Sequence, residues 1–273
     1  MNVSRPLLFA FLFILLLANG LAPLAAQNAE RFGFLTAALD LFGVGVVFVI
    51  AAAAVFTIGR DASGRTMSRW DPAMTAVLVL LALIPLHWMA KAGIALLATY
   101  LLATAPRYSP EWRIGFIAAT VAAAFIAGAL LLTAFAEPLL AADAAVVKLL
   151  TGATGYGNVV YTSDDRSPQA ITHVIILGGC SSLRNLSQAT ILWAALTQLF
   201  GLRLNRRLLW TAIVAVVTVI LINTARMALI VRLPDQYEFW HVGLGASLFS
   251  LATLIACFLI IGNAIQHETR RRP

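Results

Sequence analysis

Residues 73–104 read AMTAVLVLLALIPLHWMAKAGIALLATYLLAT, an apolar stretch whose pattern is interrupted by Pro85, His87 and Lys91. As one helix it would cross a bilayer once. Broken around Pro85-to-Lys91 it forms two short helices, because proline lacks a backbone N–H and disfavours helix on its N-terminal side. The arginines around it decide. Loops 59–72 (Arg60, Arg65, Arg69) and 201–207 (Arg203, Arg206, Arg207), and the C-terminal Arg270, Arg271 and Arg272, belong on the cytoplasmic side by the positive-inside rule. An even number of crossings must therefore separate the first two loops. Other apolar runs of about 20 residues lie near 7–26, 36–58, 114–136, 181–200, 208–230 and 242–263. Parity closes when the opening stretch supplies two crossings, 73–87 and 91–104.

The expected fold is an all-α polytopic membrane protein of about eight transmembrane helices, with residues 1–273 forming a single membrane domain. The loop 105–113 then becomes cytoplasmic with Arg107 and Arg113, and with Arg5 about 12 of the 19 basic residues face that side. At ~1.5 Å per residue each short helix covers only ~20 Å of a ~30 Å hydrocarbon layer. A re-entrant hairpin would leave the parity unchanged. Trp70, Trp88, Trp112, Trp210 and Trp240 fall near proposed boundaries, where indoles prefer to sit, and Trp193 lies inside a span. The first run also has features of a cleaved signal peptide, with Arg5 before it and small residues after it; the downstream topology is the same either way.

Composition agrees with this class. Apolar residues make up 61% of the 273 and charged residues 11%, with a mean hydropathy of +0.89, which a water-facing surface cannot accommodate. The net charge of +7 follows from cytoplasmic loops, and no basic patch interleaved with aromatics points to nucleic acid.

The largest loop, 137–179, falls on the outer side. Pro138 to Leu150 suits a helix lying in the interface or ordinary packing, with Asp143 and Lys148 among apolar residues. The β-branched runs 157–161 and 170–176 flank the polar turn Ser163-Asp164-Asp165-Arg166-Ser167-Pro168. They read as a small extracytoplasmic β-hairpin that delivers the chain to Gly178-Gly179-Cys180.

Three side chains at outer helix ends carry reactive chemistry: Cys180, Arg226 and His241. Glycines before Cys180 allow a substrate backbone to approach, and a helix N-terminus favours a thiolate. Alone, such a cysteine also reads as a small buried apolar residue. Its pairing with Cys257 is opposed by geometry, since 16 residues of helix beyond His241 rise ~24 Å and bridged Cα atoms lie within ~7 Å. Arg226 nears the outer end of its helix with Asn223 one turn below. It suits either snorkelling or binding a carbonyl oxygen as charge develops there. Arg184, four residues from Cys180 on the same face, could bind a substrate carboxylate, hold the thiolate, or pair with Asp164 or Asp165. His241 opens the last helix, with Asp235 and Glu238 near enough in sequence to orient its ring, and imidazole exchanges protons near neutral pH. His87, His173 and His267 are poorer bases by position.

In order, Gly157-Asn158-Val159-Val160-Tyr161, Gly179-Cys180-Ser181-Ser182-Leu183-Arg184, Asn223-Thr224-Ala225-Arg226 and His241-Val242-Gly243-Leu244-Gly245 resemble the signature of the exosortase/archaeosortase family over roughly residues 35–263. These are integral-membrane cysteine transpeptidases of about eight helices. The resemblance implies catalytic roles for Cys180, Arg226 and His241. Arg184, Asn223 and Ser181 are the candidates for substrate binding. Two features depart from the family pattern: Gly178-Gly179 precede the cysteine, and Ser182 stands where the family has glycine.

The implied activity is cleavage of the C-terminal sorting signal of exported proteins through a thioacyl intermediate, at the periplasmic face of a bacterial inner membrane. That signal comprises a short motif, a transmembrane helix and a basic tail. Release by an amine makes the enzyme a transpeptidase, and release by water a protease. The expected partners are such signal-bearing proteins and the lipid bilayer, with no nucleic acid, organic cofactor or metal. The competing expectation is a non-catalytic membrane assembly or transport component of an exopolysaccharide system, in which Cys180 is dispensable.

Overall fold

The structure is a computed structural model that describes residues 4–34, 45–62, 66–84, 86–162, 173–178, 180–241 and 243–271, without the side chains of 32, 127–129, 132, 183 and 184. It is mostly helical with one small hairpin. The elements run α1 (Arg5–Phe32), α2 (Val46–Asp61), α3 (Asp71–Leu83), α4 (His87–Thr104), α5 (Pro110–Thr151), β1 (Val159–Tyr161), β2 (His173–Ile175), α6 (Ser182–Leu199) and α7 (Arg206–Arg232). A 3₁₀ turn at Pro234–Gln236 then leads into the short α8 (Tyr237–His241) and into α9 (Leu244–Arg270).

Among the described residues, Arg5–Arg31, Arg206–Arg232 and Leu244–Arg270 are long and apolar enough to cross a membrane, and Asp71–Leu83 is a shorter apolar helix. Three such helices are compatible with a membrane protein, but they do not support the roughly eight transmembrane helices expected from charge parity, two of which were expected to be short. Two of the expected spans fall short for physical reasons: α3 has only 13 residues, and α4 carries His87 and Lys91. The first part of the 36–58 run lies outside the described residues. One helix ends at Leu83 and the next begins at His87, so 73–104 does not form a single helix. In α5 the backbone leaves helical geometry at Phe135 (φ −133°, ψ 26°). That is next to Ala134, whose carbonyl the ring of Pro138 would meet in a straight helix.

The chain divides into two compact units, one of residues 1–126 and 191–203, the other of 127–190 and 204–273. In the first, α1 packs on α2, α3 and α4, burying Phe9, Phe13, Leu16, Leu78, Ile94, Leu97 and Leu101. Helices come close where Gly59 faces α1: a Cβ there would lie 2.7 Å from the Ala10 Cβ and 3.0 Å from the Pro6 carbonyl oxygen. One polar cluster ties the ends of this bundle. Arg5 donates to both oxygens of the buried Asp71 (2.8 and 3.1 Å) and to Thr104 Oγ1 (3.1 Å). Asp71 also accepts from the Tyr100 hydroxyl and the Ser68 N–H, each at 2.6 Å. Trp193 is buried edge-on to Phe116, the packing role that a tryptophan deep in a span favours.

The second unit is built on a core of Leu140, Ala144 and Val147 from α5, Val160, Val174 and Ile176 from the hairpin, and Met227, Ile230 and Val231 from α7. The strands are antiparallel, pairing Val159 with Ile175, Val160 with Val174 and Tyr161 with His173. The period-two alternation points Val160 and Val174 inward together. The polar turn 163–168 lies outside the described residues. Asn158 locks the hairpin's exit by exchanging two bonds with Ile176, Nδ2 to the carbonyl at 3.0 Å and carbonyl to the N–H at 2.9 Å. The α9 helix packs along α7.

Candidate functional site

Every residue of the site belongs to the second unit. Beyond β2 the chain turns tightly, and the N–H groups of Cys180 and Ser181 both donate to the Leu177 carbonyl (2.9 and 3.1 Å). The following helix starts at Ser182, so Cys180 sits in the turn just ahead of it rather than as its first residue. Its side chain is partly exposed and lies at the edge of the hydrophobic core.

The thiol meets His241. Cys180 Sγ lies 3.3 Å from His241 Nε2, across a sequence separation of 61 residues. His241 is the last residue of α8, a single helical turn held between α7 and α9. Its placement depends on the glycines that follow it. The Gly243 N–H donates to the Glu238 carbonyl at 2.8 Å, closing α8. A Cβ on Gly245 would come within 2.6 Å of the Trp240 ring and 2.8 Å of the Phe239 carbonyl oxygen. Gly245→Ala must therefore push α8 away from α9, and overpacking of this kind costs about 1–3 kcal/mol. The expected result is a lowered thermal-unfolding midpoint in detergent, together with slower alkylation of Cys180. Wild-type behaviour on both would show that α8 is not seated on this glycine.

The histidine ring is oriented by an aromatic neighbour rather than by an acid. Tyr237 stacks on His241 with centroids 4.7 Å apart and planes 22° from parallel. Among the described residues neither Asp235 nor Glu238 hydrogen-bonds the ring. Burial first, and then the nearby Cys180 and Glu238, push the Tyr237 phenol above its ordinary value, so that it stacks as a neutral ring.

Arg226 lies within electrostatic reach of Cys180, and among the described residues its Nε is buried without a hydrogen-bond partner. A donor taken out of water without a partner is costly. It is well suited to receive an oxygen that gains negative charge.

Asn223, one turn earlier, donates through Nδ2 to the Cys180 carbonyl oxygen (3.0 Å) and to Ser182 Oγ (3.2 Å), and accepts from Asn185 Nδ2 at 3.3 Å. Ser181 is buried and its hydroxyl donates to Asp143 Oδ2 at 2.7 Å. The geometry has both residues shape the turn that carries Cys180. Arg184 occupies the first turn of α6, but its side chain lies outside the described residues, as do Asp164 and Asp165.

Three participants escaped the sequence reading. Asp143 accepts from Ser181 and also from the Ser182 N–H (3.1 Å); its only signal was a charge inside the apolar run Leu139–Val147. Asn185 completes the amide network, and Tyr237 has no sequence pattern that distinguishes it from a packing tyrosine. His173 sits on β2 opposite Tyr161. The buried Cys257 is a free thiol. Among the described residues no three His, Cys, Asp or Glu side chains gather to hold a metal ion.

The arrangement suffices for proton transfer from thiol to imidazole and for stabilising an anion beside the sulfur. Comparison of the chain with models of protein families, with curated proteins and with solved structures finds no match.

Proposed function

We propose that this chain is a multi-pass membrane cysteine transpeptidase or peptidase of the exosortase/archaeosortase type. It cleaves the C-terminal sorting signal of exported proteins at the periplasmic face of a bacterial inner membrane. The observation that carries this reading is the 3.3 Å contact between Cys180 Sγ and His241 Nε2. The partnerless buried Nε of Arg226 beside it is further support.

In the reaction His241 Nε2 takes the Cys180 proton and the sulfur attacks the scissile carbonyl carbon. Arg226 binds the oxyanion that forms. Collapse breaks the C–N bond, and the imidazolium returns its proton to the departing amine, leaving a thioester on Cys180. An amine acceptor resolves the thioester by transpeptidation, and water resolves it by hydrolysis.

The topology that goes with this reading has about eight crossings, counting the short α3 and α4. One observation supports it: the Arg5–Asp71–Thr104 cluster holds the start of α1, the start of α3 and the end of α4 at one level. That is the cytoplasmic level in an eight-crossing arrangement.

The test is capture of the intermediate. The chain is co-expressed with an exported protein bearing a C-terminal transmembrane helix and basic tail. Intact-mass analysis should then find an adduct on Cys180 that hydroxylamine removes, and a membrane-impermeant maleimide should label Cys180 from outside intact cells in a Cys257→Ala background. Continued processing by a Cys180→Ala variant, with no adduct on the parent, would discard the cysteine mechanism in favour of the non-catalytic assembly or transport reading.

A further inference from the structure

We propose that Asp143 is a positioning residue for the nucleophile: its carboxylate holds the turn that aims Cys180 Sγ at His241. The proposal rests on the reading of Cys180 and His241 as a reacting pair.

Asp143 stands on the post-kink part of α5, next to the core residues Leu140, Ala144 and Val147. A carboxylate beside alkyl side chains loses hydration, a loss that charge-assisted hydrogen bonds offset. Both of its bonds come from the two residues immediately after the cysteine, Ser181 Oγ–H at 2.7 Å and Ser182 N–H at 3.1 Å, and both go to Oδ2. Ser181 and Ser182 are 1% and 4% exposed, so neither donor exchanges freely with water. A negative group also suits the start of α6, where free N–H groups and the helix dipole favour an anion.

The turn is thereby fixed from three directions. Leu177 receives the N–H groups of Cys180 and Ser181, Asn223 grips the Cys180 carbonyl and Ser182 Oγ, and Asp143 grips Ser181 and Ser182. Among the described hydrogen bonds, Asp143 is the contact that reaches the turn from α5. The sulfur and its base come from elements far apart in sequence, and reacting groups lose rate steeply when misplaced by about 1 Å. Asp143 bonds neither Cys180 nor His241 directly, so its influence passes through Ser181 and Ser182.

The experiment measures coupling rather than activity. In the detergent-purified full chain carrying Cys257→Ala, the rate of Cys180 alkylation by iodoacetamide is followed between about pH 5 and pH 9, bracketing ordinary imidazole and thiol titration. With Asp143 present, His241→Gln is expected to change that rate by about 10-fold at some pH, within the range of coupling between residues in contact. In an Asp143→Ala background the same substitution should change it by less than about 2-fold, because a released turn no longer presents the sulfur to the ring. A purely structural role would lower the unfolding midpoint yet leave the factor unchanged, and that result overturns the proposal.

If His241→Gln has no effect even with Asp143 intact, the Cys180–His241 pair itself fails and the proposal falls with it. Should Asp143→Ala not fold, Asp143→Asn and Ser181→Ala apply the same criterion. The first keeps an acceptor oxygen and the second removes one of the two bonds, so each should cut the factor in part; an undiminished factor in both overturns the assignment.

Discussion

Cys180→Ala will leave a co-expressed signal-bearing protein at full length, a fall in processing rate of at least about 10⁴-fold, while the helical fold persists. The size of the effect follows from the chemistry. Without sulfur no thioester forms, and water must attack the carbonyl directly, with only the proposed roles of His241 and Arg226 left to help. Removing the sulfur costs little structure, because Cys180 is only partly buried and sits at the margin of the second core. Cys180→Ser will be nearly as inactive, since an alkoxide is far harder to form than a thiolate. His241→Gln removes the proton acceptor and should lose about 10²–10⁴-fold. Arg226→Gln should lose about 10²–10³-fold as an oxyanion donor, and Arg226→Lys should not restore it, because an ammonium lacks the planar fork. Pulse-labelled processing followed on gels, normalised to the amount of each variant in the membrane, checks the series. Wild-type processing by Cys180→Ala would end the cysteine mechanism outright.

Much of this site was legible because polar groups are scarce in an apolar chain. In a chain that is 61% apolar, a cysteine after two glycines and a histidine before Gly243 and Gly245 stand out, and charge parity predicts their helix ends on one side. The division of 73–104 into two helices, ending at Leu83 and beginning at His87, was equally readable from its proline, whereas the kink at Phe135, one turn before Pro138, was not read in advance. Long-range side-chain pairing was also less legible. Nothing periodic links Asp143 to Ser181, 38 residues later; only folding of the hairpin between them brings the two together. The sequence offered Asp235 and Glu238 as orienting acids for His241 because they are near in the chain, whereas a one-turn helix instead brings the Tyr237 ring, at i−4, over the imidazole. The sequence also could not show that Ser181 and Asn223 bond the turn around Cys180, since a polar residue beside a reactive side chain has the same sequence signature whether it faces a ligand or its own backbone.

The first unit offers the largest stability effect. Asp71→Ala is expected to cost about 3–5 kcal/mol, because it strands the Arg5 guanidinium in a buried position. The magnitude comes from what is left behind. Arg5 is 4% exposed and Asp71 has no exposed surface, so neither charge can turn to water when its partner goes. Thr104 can take only part of the guanidinium's hydrogen-bonding capacity, and the Ser68 N–H and Tyr100 hydroxyl lose their acceptor as well. Arg5→Met combined with Asp71→Leu should be much milder than the single change, since removing both charges abolishes the desolvation penalty and leaves apolar side chains beside Phe9. The contrast separates a buried ion pair from a merely crowded position, where two substitutions would cost more than one. Denaturation of the detergent-solubilised protein, followed by loss of helical signal, reads both variants. A single-variant cost below about 1 kcal/mol would be the value of an exposed pair, and would mean that Arg5 and Asp71 do not hold the ends of α1, α3 and α4 together.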